Sequence, residues 1–166
     1  MPTSTLYQST PLGTFTLQAD NTGLCALLFP KEHETSFNNS AATETATAVH
    51  LPLLEEAAGQ LLAYLDGRLH DFNLPISLGG TAFQRQVWQQ LQTIPYGETR
   101  SYGNVAAALG SRNKARAVGG AAHANPLGII IPCHRLIGAS GALTGFGGGL
   151  DMKHTLLALE QRHRRR

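Results

Sequence analysis

Pro132-Cys133-His134-Arg135 sets a thiol, an imidazole and a guanidinium side by side, directly after the apolar run Leu127-Gly-Ile-Ile-Ile131. A thiolate is a strong nucleophile, and two neighbours here favour it: His134 could accept the thiol proton directly or through water, and Arg135 adds positive potential. The plainer role for a lone cysteine behind three isoleucines is inert packing. Adjacent residues of an extended strand point to opposite faces, so Cys133 and His134 act together only if the chain turns at Pro132-Cys133.

Two further segments bear on that centre. Gly138 to Gly149 holds six glycines in twelve residues, a loop whose bare backbone lets a ligand approach closely or one that merely connects. It matches neither the dinucleotide fingerprint nor the P-loop, which needs Gly-Lys-Ser/Thr. Glu160 lies on a last helix, expected to be capped by Asp151 and to run through Leu156, Leu157 and Leu159; a helical glutamate is usually just solvated. The other thiol, Cys25, sits among apolar neighbours and reads as an inert core residue. Neither Cys-x-x-Cys nor His-Glu-x-x-His occurs and the seven histidines are scattered, so no metal is expected. No cofactor is expected either.

These groups must be held by a folded chain. With 166 residues, 42% hydrophobic and only 14% charged, the sequence is neither a coiled coil nor a charge-rich disordered chain and is long enough to bury a core. No stretch approaches the ~20 apolar residues of a membrane span. Met1-Pro-Thr-Ser4 lacks the basic and apolar regions of a signal peptide, and two cysteines are too few for a disulfide framework, so a cytoplasmic, reducing setting is expected.

Thr5 to Thr10, Thr14 to Ala19 and Leu24 to Phe29 are strand-like and separated by turn residues, which predicts an antiparallel meander. Residues 31 to 49 are polar and read as a surface loop. A helix follows, with Pro52 in its first turn and Leu54, Ala58, Leu61, Leu62 and Leu65 on one face. Residues 71 to 80, with Pro75 and Gly79-Gly80, read as a linker. Thr81-Ala-Phe-Gln84 is a capping-box pattern opening a helix with Phe83, Val87, Leu91 and Ile94 on its apolar face; Trp88 is read as core. Ser101 opens a short helix ended near Gly110, and a second follows Ser111-Arg-Asn113, a helix-turn-helix pattern.

That second helix, Lys114 to Ala124, carries small side chains and two central glycines, each costing ~1 kcal/mol relative to alanine. Either it packs tightly on another helix or it presses against a groove, and the minor groove of DNA is only ~6 Å wide. Charge bears on that choice. Residues 1 to 80 hold two basic residues against eight acids, whereas residues 81 to 166 hold eleven against three, so the second half could face a polyanion or simply carry the solvated tail Arg162-His-Arg-Arg-Arg166.

Ile131-Pro-Cys-His-Arg-Leu-Ile137, with Ile94-Pro-Tyr-Gly-Glu-Thr-Arg-Ser-Tyr102, Arg116-Ala-Val-Gly-Gly120, Asn125-Pro126 and Gly145-Phe-Gly-Gly148, resembles the O6-alkylguanine-DNA alkyltransferase family. The resemblance covers nearly all of residues 81 to 166 in order; the first half resembles the family's variable N-terminal domain only in length and in its strand-then-helix plan. It implies an α+β fold, with an N-terminal antiparallel sheet and helix over 1–76 and a mainly helical, winged-helix-like DNA-binding and transfer domain over 77–166. It implies direct repair of double-stranded DNA containing O6-alkylguanine, or O4-alkylthymine, by single-turnover transfer of the alkyl group to Cys133. His134 would take the thiol proton through a water, Glu160 would orient the imidazole, and Tyr102 would protonate the departing guanine at N3. Carbonyls of Cys133 and Leu136 and the amide of Gly147 would hold the base, with Phe146 as an aromatic wall and Gly148 beside it. Arg116 would intercalate where the base had been, Ser111 and Gly103 would join Tyr102 in contacting DNA, and Asn125 would tie the recognition helix to the Cys133 segment.

Where many members carry Tyr, position 146 is Phe, so that hydroxyl is missing. Cys25 is the only thiol of the first half, so the zinc site of some relatives is not carried over. A monomer is expected, with cooperative binding along DNA left open. Three rivals stand beside this reading: a winged-helix regulator with an inert Cys133, a non-catalytic helix-turn-helix protein that recognises alkylated bases, and a Cys-His hydrolase that turns over through an acyl intermediate and needs an oxyanion hole.

Overall fold

Alternation of apolar and polar residues builds the first sheet. In the computed structural model, which describes residues 3–30 and 50–164, β1 (Ser4–Thr10), β2 (Gly13–Ala19) and β3 (Leu24–Leu28) pair antiparallel in that order. Leu6 sits opposite Leu17, and Phe15, Leu17 and Ala19 turn to one buried face as a period of two requires. The loop expected over 31–49 and the last two arginines lie outside the described residues. The chain divides into two units, Met1–Leu78 and Gly79–Arg166.

In the first unit α1 (Leu51–Leu65) takes Pro52 in its first turn and buries Leu54, Ala57, Ala58, Leu61 and Tyr64, the i, i+3, i+4 stripe that faces the sheet. Leu62, expected on that stripe, is exposed instead, because it lies about 100° around the helix from Leu61. The expected linker is partly stitched down: Leu24 donates its amide to the Pro75 carbonyl and its carbonyl accepts from Ser77. Gly23 permits this approach, since a Cβ there would lie 2.6 Å from the Pro75 oxygen.

The second unit opens with α2 (Ala82–Gln92), whose Thr81 and Gln84 form the reciprocal capping box that the sequence pattern predicts. Its Val87, Trp88 and Leu91 are buried. A two-residue strand β4 (Arg100–Ser101) leads into α3 (Tyr102–Ala108), which is ended by Gly110 at φ +108°. A 3-10 turn over Arg112–Lys114 then delivers α4 (Ala115–His123), completing a helix-turn-helix. Trp88 donates its indole N–H to the carbonyl of Ala121 at 2.9 Å, in the last turn of α4, where carbonyls run out of helical partners.

Leu127 to Ile131 is not the strand its composition suggests. Ile130 donates to Gly128, Ile131 donates to Leu127, and Ile129 takes φ +69°, so the run is a chain of tight turns that still buries Leu127, Ile129 and Ile131. Cys133–Arg135 forms a further 3-10 turn, followed by β5 (Leu136–Ile137), which pairs parallel to β4, and by α5 (Leu150–Arg162). Asp151 does not cap α5; Gly149 holds the N-cap position at φ +91°, and Asp151 falls in the first turn, where its charge suits the helix dipole. Trp88→Phe should leave the Ala121 carbonyl without its indole partner and cost about 1–3 kcal/mol, read as a lower midpoint in urea denaturation.

Candidate active site

Glu160 sits near the C-terminal end of α5 with its side chain completely buried, a position no carboxylate holds without partners. It has four donors. His134 Nε2 lies 2.7 Å from Oε2, Arg135 gives Nε to Oε1 at 2.8 Å and Nη2 to Oε2 at 3.0 Å, and the Gly97 amide reaches Oε1 at 3.1 Å. Burial alone would raise the carboxyl pKa, but the hydrogen bonds from His134 and Arg135 outweigh it and hold the group well below the usual carboxylate range. Arg135 also donates to the Ile94 carbonyl at 2.6 Å and lies over the Tyr96 ring. Its charge is therefore spent on Glu160 and the 94–97 turn, not directed at the thiol as its place in the sequence suggests.

Burial lowers the His134 pKa against the pull of Glu160, favouring a neutral imidazole. With Nε2–H donated to the carboxylate, Nδ1 is left as the ring's basic nitrogen.

At Pro132–Cys133 the chain does turn. Pro132 takes φ −80° and ψ 63°, and Cys133 donates its amide to the Ile131 carbonyl. Asn125, just beyond α4, gathers the segment: its Nδ2 lies 2.9 Å from the Ile131 carbonyl and 3.3 Å from Cys133 Sγ, while its Oδ1 accepts from the Leu127 amide. Burial pushes the Cys133 thiol pKa up, whereas the Asn125 hydrogen bond, nearby backbone amides and the charge of Lys153 act the other way.

Lys153 supplies what Arg135 does not. Its side chain is fully buried within α5, and its Nζ donates to the carbonyls of Leu136 and, at 3.3 Å, of Thr144. Burial lowers its pKa and the Cys133 sulfur raises it. An ammonium held by carbonyls alone keeps its charge available to a thiolate.

Beside this centre lies an open cavity of about 600 Å³, lined by Tyr102, Ala115, Arg116, Gly119, His123, Thr144, Gly145 and Phe146. Tyr102 opens α3, directly after the β4 strand that pairs with the segment following Cys133. A Cβ on Gly119 would meet the Tyr102 ring at 3.7 Å, so the ring rests against the bare face of α4. Arg116 projects from the exposed side of that helix, and nothing lies within 4 Å of where a Gly120 Cβ would be.

Two family models match the chain: the 6-O-methylguanine DNA methyltransferase ribonuclease-like domain over residues 4–78 and the DNA-binding domain over 82–162. A methylated-DNA–protein-cysteine methyltransferase of Methanosarcina acetivorans is 42% identical over 150 residues, 90% of this chain and 93% of that protein. The chain belongs to the 6-O-methylguanine DNA methyltransferase family. A Mycolicibacterium paratuberculosis protein of the same name is 61% identical over 107 residues, a stretch that spans 64% of this chain and 65% of that relative. The crystal structure of Mycobacterium tuberculosis OGT in complex with DNA superposes with a TM-score of 0.79 at 43% identity, covering 95% of this chain and 92% of that one.

Within this methyltransferase fold the expected residues fall into two groups. Cys133 touches Asn125 and is followed in the chain by His134, which pairs with Glu160; Tyr102, Arg116 and Phe146 line the cavity. Leu136, Gly147 and Gly148 do not line it. Leu136 is buried and its carbonyl already accepts from Lys153, although a carbonyl has a second lone pair to offer. Ser111 caps the 3-10 turn before α4 through the Asn113 amide, and Gly103 lies against Arg112. Among the described residues no group of three His, Cys, Asp or Glu side chains is placed to hold a metal.

Sequence reasoning missed Lys153 and Thr144. A signal for the lysine existed: Lys153, Leu156 and Glu160 recur at i, i+3, i+7 and share the buried stripe of α5.

Both His134 and Glu160 have folded-state pKa values below their ordinary 6.5 and 4.5. The stability they contribute is complete above pH 6.5 and is lost as pH falls, first through the imidazole range and then below the carboxylate's ordinary value. The urea midpoint should therefore drop between pH 7 and pH 4. Glu160→Gln should cost about 3–5 kcal/mol at pH 7 by leaving Arg135 buried without its anion, and should flatten the pH dependence below 4.5. In a Cys25→Ser background, Lys153→Met should move the iodoacetamide reactivity of Cys133 to higher pH.

Proposed function

We propose that this chain repairs alkylated DNA by direct reversal, moving the alkyl group from O6 of guanine onto its own Cys133. The observation that carries this reading is a thiol flanked by Asn125 and within reach of a buried ammonium, one residue from a His–Glu pair. In this reading His134 Nδ1 takes the thiol proton through a bridging water. The sulfur attacks the alkyl carbon, the S–C bond forms, and the C–O6 bond breaks with its electron pair passing to the purine. Tyr102 gives its phenolic proton to N3 of the departing guanine and regains one from solvent. The product is a thioether, which water does not readily hydrolyse, so one molecule repairs one lesion.

The lesion atom lies within the base stack, so the nucleotide is flipped out at a cost of a few kcal/mol. The open Gly120 position of α4 suits the minor groove, Arg116 fills the vacated stack, and Ser111 and Gly103 meet the backbone. A relative of 43% identity was crystallised with DNA, which supports a duplex as partner. In this reading residues 77–166 carry recognition and transfer, while residues 1–76 are structural. O4-alkylthymine is a second substrate on the same chemistry. In this reading the protein is a monomer of the cytoplasm; its two cysteines are free thiols, which suits a reducing compartment.

The test is mass spectrometry of the tryptic peptide Ala117–Arg135, which contains one cysteine, after mixing protein with duplex carrying O6-methylguanine. One methyl group per chain on that peptide, without turnover, is expected, and Cys133→Ala should abolish transfer while keeping lesion binding. An unmodified peptide despite tight binding would overturn the reading in favour of a binding module.

A further inference from the structure

Thr144 of the glycine-rich loop is joined to both halves of the site. Its main-chain carbonyl accepts from Lys153, the buried ammonium that also holds Leu136 beside the thiol. Its side-chain hydroxyl donates to the Tyr102 phenolic oxygen at 2.9 Å across 42 residues of sequence. Thr144 and Tyr102 both line the cavity beside Arg116 and Phe146. An exposed threonine in a loop with six glycines is thus anchored to the interior through its backbone, and its β-branched side chain has few rotamers in which to lose the phenol.

We propose that Thr144 is a positioning residue that prepares Tyr102 to act as the acid of the transfer reaction. The inference rests on the reading of Tyr102 as proton donor to guanine N3. A phenol has one proton to give and two lone pairs to receive with. When Thr144 donates to the phenolic oxygen, the Tyr102 proton is not consumed by that contact and remains for the purine. As the proton leaves, negative charge builds on the oxygen and the Thr144 hydrogen bond becomes charge-assisted. The contact is then stronger in the transition state than before it, which is the condition for raising a rate and not merely an affinity. The Tyr102 ring cannot swing away on the other side, because it rests on Gly119 and follows the paired strand β4.

The experiment is single-turnover methyl transfer from duplex O6-methylguanine at saturating protein, with the wild type, Thr144→Val, Thr144→Ser, Tyr102→Phe and the Thr144→Val/Tyr102→Phe double variant. Thr144→Val keeps the shape and removes the hydroxyl, and should slow transfer about three- to tenfold, the span expected of one hydrogen bond. Thr144→Ser should restore the rate. The double variant should be no slower than Tyr102→Phe alone, because both changes remove one function. With 3-deaza-O6-methylguanine, which has carbon in place of N3, Thr144→Val should match the wild type. A Thr144→Val protein at the wild-type rate, independent losses in the double variant, or equal slowing on the 3-deaza lesion would each overturn the role of Thr144 while leaving Tyr102 as the acid. Tyr102→Phe at the wild-type rate would overturn the acid reading itself, and this inference with it.

Discussion

The second unit is organised around a buried negative charge. Placing Glu160 wholly out of water is prohibitive without compensation, and the compensation reaches α5 from two separate stretches of chain, the 97 turn and the 134–135 turn. Satisfying the carboxylate therefore fixes the spacing between the end of α2 and the Cys133 turn. Arg135 closes the arrangement by spanning from Glu160 to the Ile94 carbonyl. The orientation of the imidazole is a by-product of that requirement, so the candidate site and the core share one set of hydrogen bonds.

Electrostatic roles are divided accordingly. Arg135 neutralises Glu160, and its fork geometry matches a carboxylate that must be held rigidly. Lys153, a compact charge that donates to the Leu136 and Thr144 carbonyls, has no carboxylate partner among the described residues, and its charge favours the Cys133 thiolate. Burial raises the thiol pKa, and the charge of Lys153, about two helix turns along α5 from the glutamate, is among the influences that oppose it.

Much of this was legible. Alternation gave away three strands, Thr81 and Gln84 announced the cap of α2, and the spacing of Pro132 to Arg135 with the Arg116 and Asn125 segments pointed to the family before any geometry was known. What stayed hidden depended on backbone conformation and on distance. Leu127 to Ile131 has the composition of a strand, yet Ile129 adopts φ +69°, a state a β-branched residue takes only when surrounding contacts impose it. Arg135 beside Cys133 invited a local electrostatic reading, but a side chain on a 3-10 turn points where tertiary partners exist. The link from Thr144 to Tyr102 has no periodicity at all, because neither loop nor helix start carries one.

The contacts that complete the site span long intervals of chain: 63 residues from Gly97 to Glu160, 42 from Tyr102 to Thr144 and 41 from Ile94 to Arg135. Such closures pay loop entropy before they return any stabilisation, and they form late compared with local helices. Until these closures form, Cys133 lacks the Asn125 contact and the nearby Lys153 charge, and His134 lacks its Glu160 partner. The surroundings of the thiol are thus a property of the whole second unit and not of the residues that adjoin Cys133 in sequence.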